Sequence, residues 1–493
     1  MLLNAELLLY YQRCNRRAFL DVYGDPQHKE PRSDFLLKLS QDGRVHRQAV
    51  LAEFNPQQPD YPAGNWMAGM QATLELMREG AECIDRGVLL TQWADDSILL
   101  SLPDLLVKQP GESDFGNWIY VPYNIRLSKR SKLEYQITSE FDTQVLAAVQ
   151  GTWPDTAWLI LRKRSPFAVN LEQRIPEMHQ ILEDCIAMLR DRRAPDVFIS
   201  RQRCNLCPSY AGCPAVAQHQ SHLSLIPGVT PSRYQHLQNE RVTTLEALSQ
   251  LSVERLTALM GSEAAQQLVW QVQSTLHDRP IPFHSKLQRH NSKLADLFFK
   301  TPWQAPIEIH FDLEAEPELD IDFMFGVFAI DRREKKQRFY AIVAEKPEDE
   351  SSVWQQFLQL VWAYPDAPIF HFCDYEVKTI AKFAQRYDTP EYLWKPLLPR
   401  FVDIHWWITQ TAVLPVESYA LKSIARWLGF SWRNASANVA QCICWYNQWL
   451  ETGDRAYLDA IIEYNEDDCR ATYVVKEWLF GFLQAQLEAA IAT

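Results

Sequence analysis

Apolar and polar residues alternate through Ile307-Glu-Ile-His-Phe-Asp-Leu-Glu314, the period-two signature of a β-strand with one buried face. Asp312 and Glu314 therefore point to the same side. Farther on, Pro368-Ile-Phe-His371 is a short apolar run leading into Asp374-Tyr-Glu376-Val-Lys-Thr-Ile, which predicts a strand feeding a helix with an acidic start. The segment from Tyr457 to Thr472 has helical spacing, so Tyr464 and Asp468, four residues apart, lie on one helix face. Strands followed by amphipathic helices make residues 307–493 an α/β domain. Upstream the pattern changes three times. Residues 1–220 mix strand-like and helical stretches, 222–280 read as short helices about a Pro-Gly hairpin at Pro227-Gly228, and 281–306, punctuated by Pro282, Pro302 and Pro306, read as a linker.

A chain of 493 residues has room for several domains. With 47% hydrophobic residues and 17 Trp, 19 Tyr and 23 Phe, disordered and fibrous classes are excluded. No uncharged apolar run reaches the length needed to cross a bilayer. The opening Met-Leu-Leu-Asn-Ala-Glu6-Leu-Leu-Leu lacks a basic leader and a small-residue cleavage site, so a cytoplasmic protein with reduced cysteines is expected. The net charge of −13 resides in the C-terminal part: residues 301–493 hold 17 basic against 29 acidic side chains. Such an excess repels nucleic acid unless it assembles a cation site. No phosphate-binding G-x-x-x-x-G-K-[ST] loop occurs, so nothing points to ATP.

Cys204-x-x-Cys207-x5-Cys213 places three thiols on a Pro-punctuated stretch able to wrap one metal centre, with Cys14 as the candidate fourth ligand. By spacing alone, zinc and an iron–sulfur cluster are both open. Cys83, Cys185, Cys373 and Cys469 read as core positions, and Cys442-x-Cys444 lacks partners.

Tyr11-Gln-Arg-Cys-Asn-Arg-Arg-Ala-Phe-Leu-Asp21, together with the closing cysteine motif, resembles the RecB-like nucleases, in which an iron–sulfur cluster clamps the ends of a PD-(D/E)xK domain. The resemblance implies a restriction-endonuclease-like fold, a 4Fe–4S cluster and a catalytic row matching His46, Asp104, Asn124, Arg126 and Gln136. Asn124 and Arg126 depart from the (D/E)xK pair. Asn lacks the charge that holds a divalent cation, and an always-protonated Arg cannot activate water. A degenerate N-terminal site is expected, with Glu134 the one substitute.

Asp312-x-Glu314, then Glu376 at a strand–helix junction with Asp374 as fallback, then Tyr464-x-x-x-Asp468 resembles the DnaQ-like, RNase H-fold exonucleases of the DEDDy type. Val402-Asp403-Ile and Tyr419 to Gly429 match the intervening strand and helix, with Asp403 peripheral; Asp467 faces away from Asp468. The resemblance implies two Mg2+ or Mn2+ ions held by Asp312, Glu314, Glu376 and Asp468, a water-orienting Tyr464, and 3′–5′ phosphodiester hydrolysis. Ile226-Pro-Gly228 followed by Thr244-Leu-Glu-Ala-Leu248 resembles a helix–hairpin–helix module, whose amides contact phosphate. Nearly all 493 residues thus resemble RecB-like nucleases fused to an RNase H-like exonuclease domain. The expected partner is nucleic acid, DNA before RNA, with no membrane. Arg162, Lys163, Arg164, Arg190, Arg192, Arg193, Arg201 and Arg203 are candidate phosphate contacts. The competing class is a non-catalytic nucleic-acid adaptor; a nuclease using the N-terminal site is the other alternative.

Overall fold

A computed structural model describes residues 1–93, 96–162, 164–204, 206–283 and 293–492. The chain divides into two compact units, Met1–Val216 and Ala217–Thr493. No described helix is long and apolar enough to cross a membrane.

The first unit is built on a five-stranded mixed sheet in the order Cys83–Asp85, Leu105–Ser113, Gly116–Arg126, Ala157–Leu161, Phe167–Val169. Only Gly116–Arg126 and Ala157–Leu161 run parallel, and the helix Leu133–Gln150 makes the crossover that parallel pairing demands. That helix buries Ile137, Phe141 and Val145 against Met178 and Leu182 of the helix Leu171–Asp191. A three-stranded sheet brings Leu2–Asn4 beside Ile98–Ser101 and Leu89–Gln92, so the apolar N-terminal segment enters this core.

The second unit begins with short helices, Pro231–Asn239, Leu245–Ser249, Val253–Met260 and Ser262–His277. Thr230, Thr244 and Ser252 cap the first three with side-chain oxygens. The stretch read as a linker is no free tether. Ile281–Pro282 pairs with Ala412–Val413, and the helix Lys293–Lys300 buries Ala295 and Phe298 in the core of this unit.

Its main sheet has the order Lys336–Val343, Ile321–Asp331, Ile307–Glu316, Ile369–His371, Phe401–Asp403, antiparallel through the first three strands and parallel thereafter. The two faces of Ile307–Glu316 have different tasks. Odd positions are apolar: Phe311 packs 4.8 Å from the Phe357 ring and 5.6 Å from Phe325. Even positions, Glu308, His310, Asp312 and Glu314, turn to the 38-residue helix Arg455–Ala492. Along that helix Ile461, Asn465, Asp468, Thr472 and Lys476 are buried, spaced by three or four residues as one face requires, and Tyr464 beside Asn465 is buried with them.

Candidate metal centre

Alternation along the central strand sets Asp312 and Glu314 side by side, and the i,i+4 repeat of the final helix lays Asp468 over them. One carboxylate oxygen from each lies within 4.8 Å of the others. Glu376 enters from the first turn of the helix Tyr375–Arg386 and is 4% exposed. Burial raises Asp312 well above the ordinary carboxylate range, and the negative charges of Asp468, Glu314 and Glu376 raise it further. The same two causes, burial and then Asp468, raise Glu314, against a hydrogen bond from Asn465 and the charge of Lys422. Asp468 is pushed to about 6 by burial, even though Trp432, Tyr464 and Lys422 all favour its ionised form. Four acids on three elements thus share one electrostatic neighbourhood, with too little positive charge to balance them.

The polar groups around the acids fix their orientation. Trp432 Nε1 donates to Asp468 Oδ1 at 2.7 Å, and Asn465 Nδ2 donates to Asp312 Oδ2 at 2.7 Å. Asp312 stands opposite Gly326 in the antiparallel ladder, and a Cβ there would come within 1.6 Å of Asn465 Oδ1. The glycine makes room for the amide. His371 Nδ1 lies 3.4 Å from Glu376 Oε2, and burial raises Glu376 while His371 opposes the rise. Tyr464 is 5% exposed, and burial followed by the charge of Asp468 lifts its phenol far above its usual value. It stays a neutral hydroxyl at any physiological pH. Lys422 Nζ stands 4.8 Å from the Tyr464 ring centre and 5.3 Å from that of Trp432.

A family model of the RNase H superfamily matches residues 309–480. Residues 309–480 form an RNase H-like domain. No match was found among curated proteins. The match suggests a nuclease-like activity on phosphodiester bonds for residues 309–480, whose acidic group could hold a divalent metal.

Neighbouring acids in the RNase H-like domain have other partners. Asp374 is exposed and ion-paired with Lys378, which leaves Glu376 as the acid of that junction. Asp403 caps the helix Ile404–Thr411 and accepts from the Cys373 amide at 3.1 Å. Asp467 turns away to Arg433, whose Nε lies 2.9 Å from it. Sequence reading missed Asn465, Trp432, Lys422 and His371. Asn465, next to Tyr464 and three before Asp468, was the one with a spacing signal.

In the first unit only Asp104 and Arg126 of the expected row are bonded to each other, in a self-neutralised network, and Asn124 and Gln136 have other partners. Asp104 Oδ2 accepts from the Ile125 amide at 2.8 Å and from Arg126 Nη1 at 3.0 Å, while Arg47 Nε reaches Oδ1 at 3.2 Å. Asn124 turns to the buried side and donates to Ser139 Oγ at 3.0 Å and Asp142 Oδ2 at 3.1 Å. Gln136 bridges the Ser131 carbonyl and Arg174, and Glu134 is held by Arg13 at 2.6 Å. His46 sits beside Arg47 on the helix Asp34–Phe54.

Cys14, Cys204, Cys207 and Cys213 are free, half-buried thiols. Burial pushes Cys204 up to about 11, and Cys14, Cys207 and Cys213 all add to the rise, so the four sulfurs share a neighbourhood. Among the described residues, the donor group that closes to within 4.8 Å is the acidic one; no three of these sulfurs do so. Of the basic candidates, Arg190, Arg192 and Arg193 are exposed, and Arg203 donates to the Arg13 carbonyl at 3.0 Å. Lys163 and the Arg201 side chain lie outside the described residues.

Proposed function

We propose that the protein is a two-metal-ion 3′–5′ exonuclease of the DEDDy type acting on single-stranded DNA, with its site at Asp312, Glu314, Glu376, Tyr464 and Asp468. The observation that carries the reading is that Asp312, Glu314 and Asp468 bring carboxylate oxygens within 4.8 Å of one another, with Glu376 near enough to add its charge, a costly arrangement for a buried site unless cations are bound there. Hard oxygen donors suit Mg2+ or Mn2+, which when bound would supply charge for activating water and for stabilising the leaving oxygen. The protein's own residues do the rest. Asn465 and Trp432 hold Asp312 and Asp468 in fixed rotamers. His371 steadies Glu376. Tyr464, neutral throughout the physiological range, orients the attacking water by its hydroxyl rather than taking its proton.

The first unit is proposed as a degenerate PD-(D/E)xK domain that positions DNA. Two guanidinium groups on Asp104 fill the role a divalent ion has in an active site of that kind. Cys14, Cys204, Cys207 and Cys213 are proposed as ligands of a 4Fe–4S cluster. The shared electrostatic neighbourhood of the four sulfurs supports one centre, and zinc is the alternative occupant. The helices from Pro231 to His277 are proposed as a phosphate-contacting helix–hairpin–helix segment.

The test is a Mn2+ titration of cleavage on 3′- and 5′-labelled single strands of DNA and RNA, with wild type, Asp312→Asn and Asp104→Asn. Loss of roughly 10^2–10^3-fold or more in Asp312→Asn alone is expected, the several kcal/mol that a metal site contributes to the transition state. Loss in Asp104→Asn alone would move the chemistry to the first unit, and an inert wild type would leave a binding protein.

A further inference from the structure

Strand register fixes what stands beside the acids. Ile309 and His310 pair in parallel with Ile369 and Phe370, and His371 pairs with Asp403. The paired strands, about 5 Å apart, end at His371 and Asp403, short of the level of Asp312, and the chain leaves them at Phe372 and Ile404. The carboxyl ends of the two parallel strands therefore form the rim of the site within about 10 Å of Asp312.

That rim is aromatic, and it is built rather than incidental. Past His371 the chain makes a tight turn in which Cys373, a non-glycine residue, adopts φ +80°. Such a conformation persists only where the surroundings hold it. Here the Cys373 amide donates to Asp403 Oδ1 at 3.1 Å, and its carbonyl lies 2.5 Å from His371 Nδ1. After the turn Glu376 is buried, while Phe372, just before it, is partly exposed and packs along the edge of the core. Phe372 meets His405 edge to face at 5.3 Å, and neither ring is fully buried. Next to His405, Trp406 is 40% exposed; its amide is fixed on the same Asp403 oxygen at 3.0 Å, and its indole stands edge-on to the buried Trp407 at 5.3 Å. Asp403 also raises Glu376 electrostatically, so this carboxylate joins the aromatic rim to the acid site.

We propose that Phe372, His405 and Trp406 form a stacking subsite for unpaired nucleobases, which holds the nucleotides adjoining the bond to be cut. The inference rests on the nuclease reading and names the residues that hold its substrate's bases. The three rings offer π-faces and carry no guanidinium or ammonium group, so the subsite grips bases rather than phosphates and does so without preference for sequence. A duplex keeps its bases stacked on one another, so only a single strand can use it.

The test is a cycle between protein and substrate, using the full chain. Wild type, Trp406→Ala, Trp406→Phe and Phe372→Leu are assayed with Mn2+ on a 3′-labelled DNA single strand and on the same strand with abasic sites in its last three nucleotides. Stacking is worth roughly 5- to 150-fold per base. Wild type is therefore expected to lose a factor of that size in kcat/KM, carried by KM, when the bases are removed. Trp406→Ala is expected to lose a similar factor on the normal strand and to cease distinguishing the two substrates, while Trp406→Phe restores most of the preference. A Trp406→Ala protein with the wild-type preference for bases would overturn the subsite. Fluorescence anisotropy of a labelled single strand in EDTA decides the matter separately from cleavage. Tighter binding of the normal than of the abasic strand, lost in Trp406→Ala, supports the subsite even if the wild type cuts nothing, whereas equal binding of both strands by wild type refutes it.

Discussion

Gly326 faces Asp312 across the ladder, and the absence of a side chain there lets Asn465 reach the carboxylate. Ala at this position brings a methyl into Asn465 Oδ1, with Phe339 at 3.2 Å blocking another way out. Gly326→Ala is therefore expected to destabilise by about 1–3 kcal/mol. It should also weaken Mn2+ binding roughly 10- to 100-fold, as loss of a ligand's hydrogen-bond partner does, measured by isothermal titration. Unchanged affinity would mean that Asn465 does not orient Asp312. The acids themselves make a prediction with a sign. A carboxylate raised in the folded state binds a proton more tightly there than in the unfolded chain, so its cost to folding is absent in acid and appears as pH rises through the folded value. With Asp468 at about 6, Asp468→Asn should be more stable than wild type at pH 7 in EDTA, by about 1–3 kcal/mol. The gap should close near pH 4 and shrink when Mn2+ is added to wild type. A variant less stable than wild type at pH 7 in EDTA would show that the acids are not in conflict. Asp312, Glu314, Tyr464 and Asp468 were visible in the sequence because strand and helix periods place them. Gly326, Trp432 and Lys422 were not, because their roles arise from cross-strand register and from chain segments that return over long distances.

On the central strand the polar face extends beyond the metal centre. Lys476 is fully buried, with Nζ 2.9 Å from Glu308 Oε2 and 2.8 Å from Glu477 Oε1, and Arg332 bonds both glutamates. These pairs tie the helix Arg455–Ala492 to the strand Ile307–Glu316, the two elements that bring Asp468 to Asp312. Despite burial, the nearby His310 imidazole, hydrogen bonds from Arg332 and Lys476 and the charge of Lys476 hold Glu308 down to about 2, so the bond remains intact across the physiological range and fails only in strong acid. A buried pair broken on one side leaves an uncompensated charge. Lys476→Met is expected to cost about 3–5 kcal/mol in urea unfolding, and Glu308→Leu/Lys476→Met to recover most of it. A double variant as unstable as the single one would place the stability elsewhere in the helix. Alternation and helical spacing made this strand and helix legible. The packed strand and helix between 281 and 306 were hidden by prolines: Pro282 sits in a two-residue edge pairing that needs few of its hydrogen bonds, and Pro302 follows the helix Lys293–Lys300 rather than interrupting it.

At the scale of the chain, each unit has polar groups of its own: the thiols of Cys14, Cys204, Cys207 and Cys213, which share an electrostatic neighbourhood within Met1–Val216, and the acids of the RNase H-like domain within Ala217–Thr493. Each unit has its own apolar core, Phe141 and Leu182 in one, Phe311 and Phe357 in the other. A ligand stabilises only the folded region that binds it, by an amount set by its concentration over its dissociation constant. Calorimetry of the full chain is therefore expected to resolve two transitions. Mn2+ at 100 times its dissociation constant should stabilise one of them by about 2.7 kcal/mol and leave the other in place. Cys207→Ser should do the reverse, lowering the second transition along with the visible absorbance and iron content of an anaerobic preparation, and sparing the Mn2+-sensitive one. Cys14 and Cys213 lie 199 residues apart in the sequence, so a shared centre closes nearly the whole unit into a loop, and the loss should be felt throughout that transition. Iron-free protein with an unaltered melt in Cys207→Ser would remove the cluster from the account, and a single transition moved by both treatments would show that the units unfold as one.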